Sequence, residues 1–188
     1  PLADNVPAQD ALAIARLRSE GAILLGKTMG GDTTGAVEVL TSAMNAFQVD
    51  MENPIEATRE LERMMNVMAA AAGEGSAELP QLREGLMEAG GDAKRAGLSF
   101  EETAAALEVL DKGQLKGSRG GVALRNVLST LGQGRFLPKE VKEELAQAGI
   151  SVTALGDKSK SLKERIDMLK PVAQDTALMA KLFVRESA

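Results

Sequence analysis

Apolar residues return every three or four positions along almost the whole of this chain, the spacing that lines one face of an α-helix. The pattern predicts a first helix over 8–29, with Leu12, Ile14, Ala15, Leu17, Ile23 and Leu24, ended by Gly30-Gly31. Asp32 or Thr33 can cap a second helix through about Phe47, because a side-chain oxygen there accepts from amides that lack an intrahelical partner. Pro54 suits the first turn of a third, whose apolar stripe is Leu61, Met64, Met65, Met68 and Ala72 and which ends at Gly73-Glu74-Gly75.

A fourth helix opens at Ser76 or near Pro80 and carries Leu79, Leu82, Leu86 and Met87. Gly90-Gly91 then reads as a break, followed by a short helix through Ala96. The clearest start in the chain is Ser99-Phe100-Glu101-Glu102, a capping box in which the Ser hydroxyl reaches the third amide and Glu102 reaches back. That helix runs to about Asp111. Further helices are predicted over 118–131 (Leu124, Val127, Leu128, Leu131), 138–148 (Val141, Leu145) and 162–169. Pro171 kinks or restarts the chain before a last helix with Ala177, Leu178, Leu182 and Phe183. Ile150-Ser151-Val152-Thr153 alternates and is β-branched, and it is too short for more than a connector. The fold class is therefore all-α, a compact multi-helix domain of about nine short helices with Gly-rich corners. Residues 1–30 form an N-terminal helical lead-in and 31–188 the helical core domain.

Composition narrows the chemistry. The chain has 188 residues, of which 44% are hydrophobic and only 2% aromatic, so Ala, Leu, Val and Met must fill the interior. It has no Cys and no His, which removes thiol nucleophiles, disulfides, Cys/His metal sites and histidine acid–base catalysis. Apolar runs such as AILL and VMAAAA fall far short of the roughly 20 residues of a membrane span. The chain starts at Pro1 without Met and reads as part of a longer polypeptide. Charge is uneven. Residues 1–111 hold 8 basic and 19 acidic groups, and residues 112–188 hold 14 and 8, for a net of −5. Such a split suits a charged partner, or two ends that attract each other, as well as an ordinary solvated surface.

Each candidate site has a plainer role to set against it. GAILLGKT at 21–28 matches the phosphate-binding pattern G-x-x-x-x-G-K-[ST]. A working loop lies between a buried strand and a helix, whereas the preceding DALAIARLRSE is helical in period and the loop interior is Ala, Ile, Leu and Leu. Lys27 and Thr28 fit a helix end better. Glu101 and Glu102 could be read as an acid–base pair, but capping accounts for them. The acidic residues Asp50, Glu52, Glu56, Glu60 and Glu62 lack calcium-loop spacing. Met64, Met65 and Met68 suit core packing before a soft binding patch. Seven cations and the single acid Glu140 occupy 112–142, including Lys116, Arg119, Arg125 and Arg135. With only Phe136 available for stacking, nucleic acid is not expected as a partner. TTGAVEVLT at 33–41 and TAAALEVLD at 103–111 share five of nine residues, an echo that Ala- and Leu-rich helices also produce by chance.

One segment carries a resemblance. AKRAGLSFEETAAALEVLDKGQLKGSRGGVALRNVLSTL, at 93–131, resembles the core region of phage tail tape measure proteins. The matching positions are Ala96, Gly97, Ser99, Glu102, Leu107, Leu110, Gly113, Gly117, Ser118, Gly121, Leu124, Arg125 and Leu131. TSAMNAF, ELPQLREGLMEAGGDAKRAG, ELAQAGISV and LKERIDMLKPVAQDTALMAKLFVRE continue the likeness over roughly 30–188. Val184 stands where the family often has Gly. In local terms GQLKGSRGGVALR reads as a helix–loop–helix corner. Gly113 can take a left-handed C-terminal position, Ser118 can cap the next helix, and Gly120 and Gly121 permit close helix approach. The resemblance implies a structural, non-enzymatic component of a phage or prophage tail, with no catalytic, cofactor or metal site. Its implied partners are other tail proteins (tube, tail-initiation or baseplate hub, assembly chaperones) together with copies of itself, and its implied location is the virion tail, with the host cytoplasm during assembly. Two rival classes stand beside it: a helical interaction module unrelated to tails, and an enzyme using the phosphate-loop match.

Overall fold

The computed structural model describes residues 33–50, 52–73 and 79–183. Among these the chain forms nine α-helices, two short 3-10 turns and no strand, so the all-α expectation holds. The helices are α1 (Thr33–Phe47), α2 (Pro54–Gly73), α3 (Leu79–Arg95), α4 (Phe100–Lys112), α5 (Ser118–Gln133), α6 (Lys139–Gln147), α7 (Val152–Leu155), α8 (Leu162–Asp167) and α9 (Thr176–Phe183). The expected helix over 8–29, the phosphate-loop match at 21–28, the Gly30-Gly31 break and the residue 1–30 lead-in all lie outside the described residues.

Helix α3 organises the molecule. It packs most extensively against α5 and α1, and α4 also lies on it, while α2 covers α4 and α1. The later helices form a second group: α9 rests on α5 and α6, and α7 on α6 and α8. One continuous core runs from Val39 to Leu182. Aliphatic residues dominate it. Phe47 meets Phe100 edge-on with ring centroids 5.3 Å apart, pinning the end of α1 to the start of α4. Met64 and Met68 are fully buried and Met65 partly so, which makes that stripe core. Of the apolar residues read on the fourth helix, Leu79, Leu82 and Leu86 are buried and Met87 is mostly exposed.

The expected break at Gly90-Gly91 does not occur. α3 runs unbroken through both glycines. A Cβ on Gly90 would sit 2.6 Å from the Ala46 Cβ of α1, so the glycine is there to let two helices touch. Packing against α1 offsets the roughly 1 kcal/mol that a mid-helix glycine costs relative to Ala. Ile150-Ser151 is a connector as expected, but Val152 already belongs to α7, whose amide at Ala154 is capped by the Ser151 hydroxyl.

Four helix ends share one device. At Gly97, Gly149, Gln48 and Gln114 the backbone turns left-handed, with φ of 84°, 75°, 51° and 68°. In each case the next amide reaches back five residues: Leu98 to Ala93 (3.0 Å), Ile150 to Leu145 (2.8 Å), Val49 to Met44 (3.1 Å) and Leu115 to Leu110 (2.9 Å). This is the Schellman closure, which satisfies orphan carbonyls and folds an apolar residue back onto the helix it ends. Ala96-Gly97-Leu98-Ser99 and Ala148-Gly149-Ile150-Ser151 are thus the same joint used twice: a left-handed Gly, a buried Leu or Ile, then a Ser that caps the next helix.

Candidate site: the α3–α4–α5 corner and the groove beside it

The capping box at Ser99 is present. The Ser99 hydroxyl accepts from the Glu102 amide and the Glu102 carboxylate accepts from the Ser99 amide, both at 3.2 Å. Glu102 does more than the sequence suggested. Its other oxygen accepts from the Leu162 amide at 3.2 Å, so one carboxylate serves the N-termini of α4 and α8. α8 also has its own capping box, Ser161 with Glu164, and the Asp175 carboxylate accepts from Ala177 and Leu178 at the start of α9. Both carry local Ser-x-x-Glu or Asp cap signals that the 3.6-residue periodicity alone did not pick out. Glu101 faces the other way and is held by Arg63 of α2 through a forked pair of hydrogen bonds. The two neighbouring carboxylates are therefore structural acceptors with different partners.

The corner between α4 and α5 departs from its expected geometry in two places. Gly113 has φ of −79°, and the left-handed position belongs to Gln114. The closure is set by which apolar residue folds back, and that is Leu115, so the turn falls one residue later than the glycine suggested. Ser118 does not cap α5 either. Gly117 holds the N-cap position at φ 54°, ψ −128°, and the Ser118 amide donates to the Glu84 carboxylate of α3 at 3.3 Å. The cap is supplied by a residue 34 positions away.

The expected close helix approach is found at Gly121, while Gly120 is confined by the corner itself. A Cβ on Gly121 would lie 2.6 Å from both the Glu88 Cβ and the Gly85 carbonyl, and one on Gly120 would lie 2.5 Å from the Leu115 carbonyl. Gly121 therefore marks the point where the backbones of α3 and α5 cross. Arg125, one turn on, pairs with Glu88 at 3.2 Å and fixes the same crossing from the rim. Gly97 is equally confined, with the Lys158 carbonyl 2.9 Å from where its Cβ would be. Leu124 is core.

Leu110 and Leu124 meet at an apolar groove of about 430 Å3 between α4, α5 and α8. Its walls are Ala105, Ala106, Val109, Val127, Leu162 and Ile166, and the Lys163–Asp167 ion pair (2.6 Å) runs along its rim. Val109 is 68% exposed and Ile166 44%. Beside the groove Arg165 is buried, only 2% exposed, and its guanidinium reaches the Ala96 carbonyl. Burial lowers its pKa, while Glu102 and Asp157 act to raise it. Within the basic stretch Lys112 pairs with Glu108 (2.8 Å), Arg125 with Glu88 and Lys139 with Glu143 (3.6 Å). Among the described residues no group of three or more acidic side chains could hold a metal ion, and no helix is long and apolar enough to cross a membrane. What the corner and groove offer is shape and apolar surface.

Comparison with known proteins defines the class. The sequence profile of the phage-related minor tail proteins matches residues 5–183, nearly the whole chain. The chain belongs to the phage-related minor tail protein family, a structural family of the phage tail and not a class of enzymes. More particularly, it is similar to the tape measure protein of Pneumococcus phage Dp-1, with 27% identity over 150 residues that make up 80% of this chain. It spans about 12% of the length of that relative. No solved structure matches it.

Proposed function

We propose that this chain is the folded helical core of a tape measure protein, acting in tail-length determination and tail assembly through contacts with other tail proteins. The observation that carries this reading is the family match over 5–183 together with the relative named a tape measure protein. Length measurement by such a protein has a simple physical basis: a helix rises about 1.5 Å per residue, so chain length converts linearly into distance. The described helices are at most 20 residues long, about 30 Å, and they fold back on one another. The ruler is therefore assigned to other parts of the parent polypeptide, and this core to docking. Its partners are the tube, the tail-initiation or baseplate hub, assembly chaperones and copies of itself. It resides in the virion tail and, during assembly, in the host bacterial cytoplasm. Val109 and Ile166, exposed at the groove, are the contact positions this reading nominates.

The test is to shorten and lengthen the parent polypeptide outside this segment and measure tails by electron microscopy. Tail length should change in proportion to polypeptide length. Tails of constant length would sink the ruler assignment. Val109→Asp in the intact parent should reduce the yield of complete tails while the isolated chain keeps its thermal midpoint. Normal tail yield would remove the groove from the docking surface.

A further inference from the structure

Beneath the α4–α5 corner lies a second, much smaller cleft, bounded by Gln81 and Leu82 of α3, Leu107 and Asp111 of α4, and Gly117 and Gly120. It leaves about 10 Å3 for the centre of a water-sized sphere, which is room for one water and nothing larger. Two polar atoms among its lining residues are buried without a hydrogen-bond partner, Gln81 Oε1 and Asp111 Oδ1. Asp111 is only 5% exposed and sits in the last turn of α4. A carboxylate there needs a donor. Both orphan atoms are acceptors, so they cannot satisfy each other.

We propose that this cleft binds one ordered water molecule that donates one O–H to Gln81 Oε1 and the other to Asp111 Oδ1, joining α3 to α4 under the corner. A water matches the site in size, and its two donors match the two acceptors. A divalent cation is a poor match, because it takes about six or more oxygen ligands and Gln81 and Asp111 together carry three side-chain oxygens, two of them orphaned. The apolar walls of Leu82 and Leu107 leave the water no competing partner on those sides. The glycines have a part as well. A Cβ at Gly120 would press on the Leu115 carbonyl, and Gly117 turns in a left-handed region, so the corner can close over the cleft only with these residues.

The test is a crystal structure of the chain at a resolution that shows ordered solvent. The expected result is a water peak about 2.5–3.0 Å from both oxygens. An empty cleft, a bound cation, or a Gln81 side chain turned so that its amide nitrogen donates directly to Asp111 would overturn the proposal. In solution, oxygen-17 relaxation dispersion counts long-lived waters. Gln81→Met should lose one relative to the parent chain, and Asp111→Asn should keep it, since the Asn oxygen still accepts. An unchanged count in Gln81→Met would also overturn the assignment.

Discussion

Side chains at the helix ends set the local strain of this molecule. Gln48 and Gln114 occupy left-handed positions that glycine holds at the two sister joints, Gly97 and Gly149. A residue with a Cβ costs about 1–2 kcal/mol in that region. Gln114→Gly should therefore raise the unfolding free energy by up to about 1 kcal/mol, after the extra entropy of glycine in the unfolded chain is deducted. Urea denaturation measures it, and a loss of stability would mean that the Gln side chain makes a compensating contact. The glycines of α5 give a matched pair. Gly121→Ala forces a methyl against the Glu88 Cβ and the Gly85 backbone and should cost about 1–3 kcal/mol. Gly132→Ala meets nothing within 4 Å and should be neutral or stabilising by up to about 1 kcal/mol. Equal effects at the two sites would contradict the backbone crossing placed at Gly121.

Helices here are joined through their caps. Ser99→Ala removes one acceptor and should cost about 1 kcal/mol. Glu102→Ala frees amides at two helix starts, Ser99 and Leu162, and should cost more than Ser99→Ala in the same thermal series. The caps and rim ion pairs also set an acid limit. The Ser161 hydroxyl and backbone amide hold Glu164 below the ordinary carboxylate range, and Lys163 and then Lys170 do the same for Asp167. For Glu101, burial pushes upward but is outweighed by its own amide, the Ser99 hydroxyl and Arg63, so its pKa is also lowered. Carboxylates depressed in the folded state contribute stability that is fully present above their unfolded pKa values, about 4, and lost as pH falls through the folded values. The thermal midpoint should stay level above about pH 5 and drop below about pH 4, with a shallower drop in Ser161→Ala. A midpoint that holds steady to about pH 3 would contradict these depressed values.

The described helices share one core from α1 to α9, and this predicts a single cooperative unfolding transition for them. Two separated transitions by calorimetry would divide the α6–α9 group from the rest. Charge acts at the same scale. Net −11 over 1–111 and +6 over 112–188 come from 8 and 14 basic against 19 and 8 acidic groups. Within the fold, Arg125–Glu88 spans the two halves. On the docking reading, association with a tail partner should weaken as salt rises from about 0.05 to about 0.5 M, since screening shortens the reach of exposed charge to a few ångströms. Salt-independent binding would leave the apolar groove as the dominant contact.

The amino-acid sequence alone determined the helical class, the stripes of α2, α5 and α6 and the capping box at Ser99. Each of these rests on neighbours within about four residues, where spacing dictates which side chains and amides can meet. The family likeness was also readable, because it is an ordered series of such local signals. Tertiary structure decided the rest. Gly90-Gly91 reads in sequence as a break and serves in the fold as a contact with Ala46. A glycine permits either, and only the partner helix selects between them. Glu84 caps α5 and Glu102 caps α8 from 34 and 60 residues away, and the groove exists because Leu162 and Ile166 arrive beside Leu110 and Leu124. Periodicity identifies which face of a helix is apolar. The packing of the other helices decides which part of that face is left open to water.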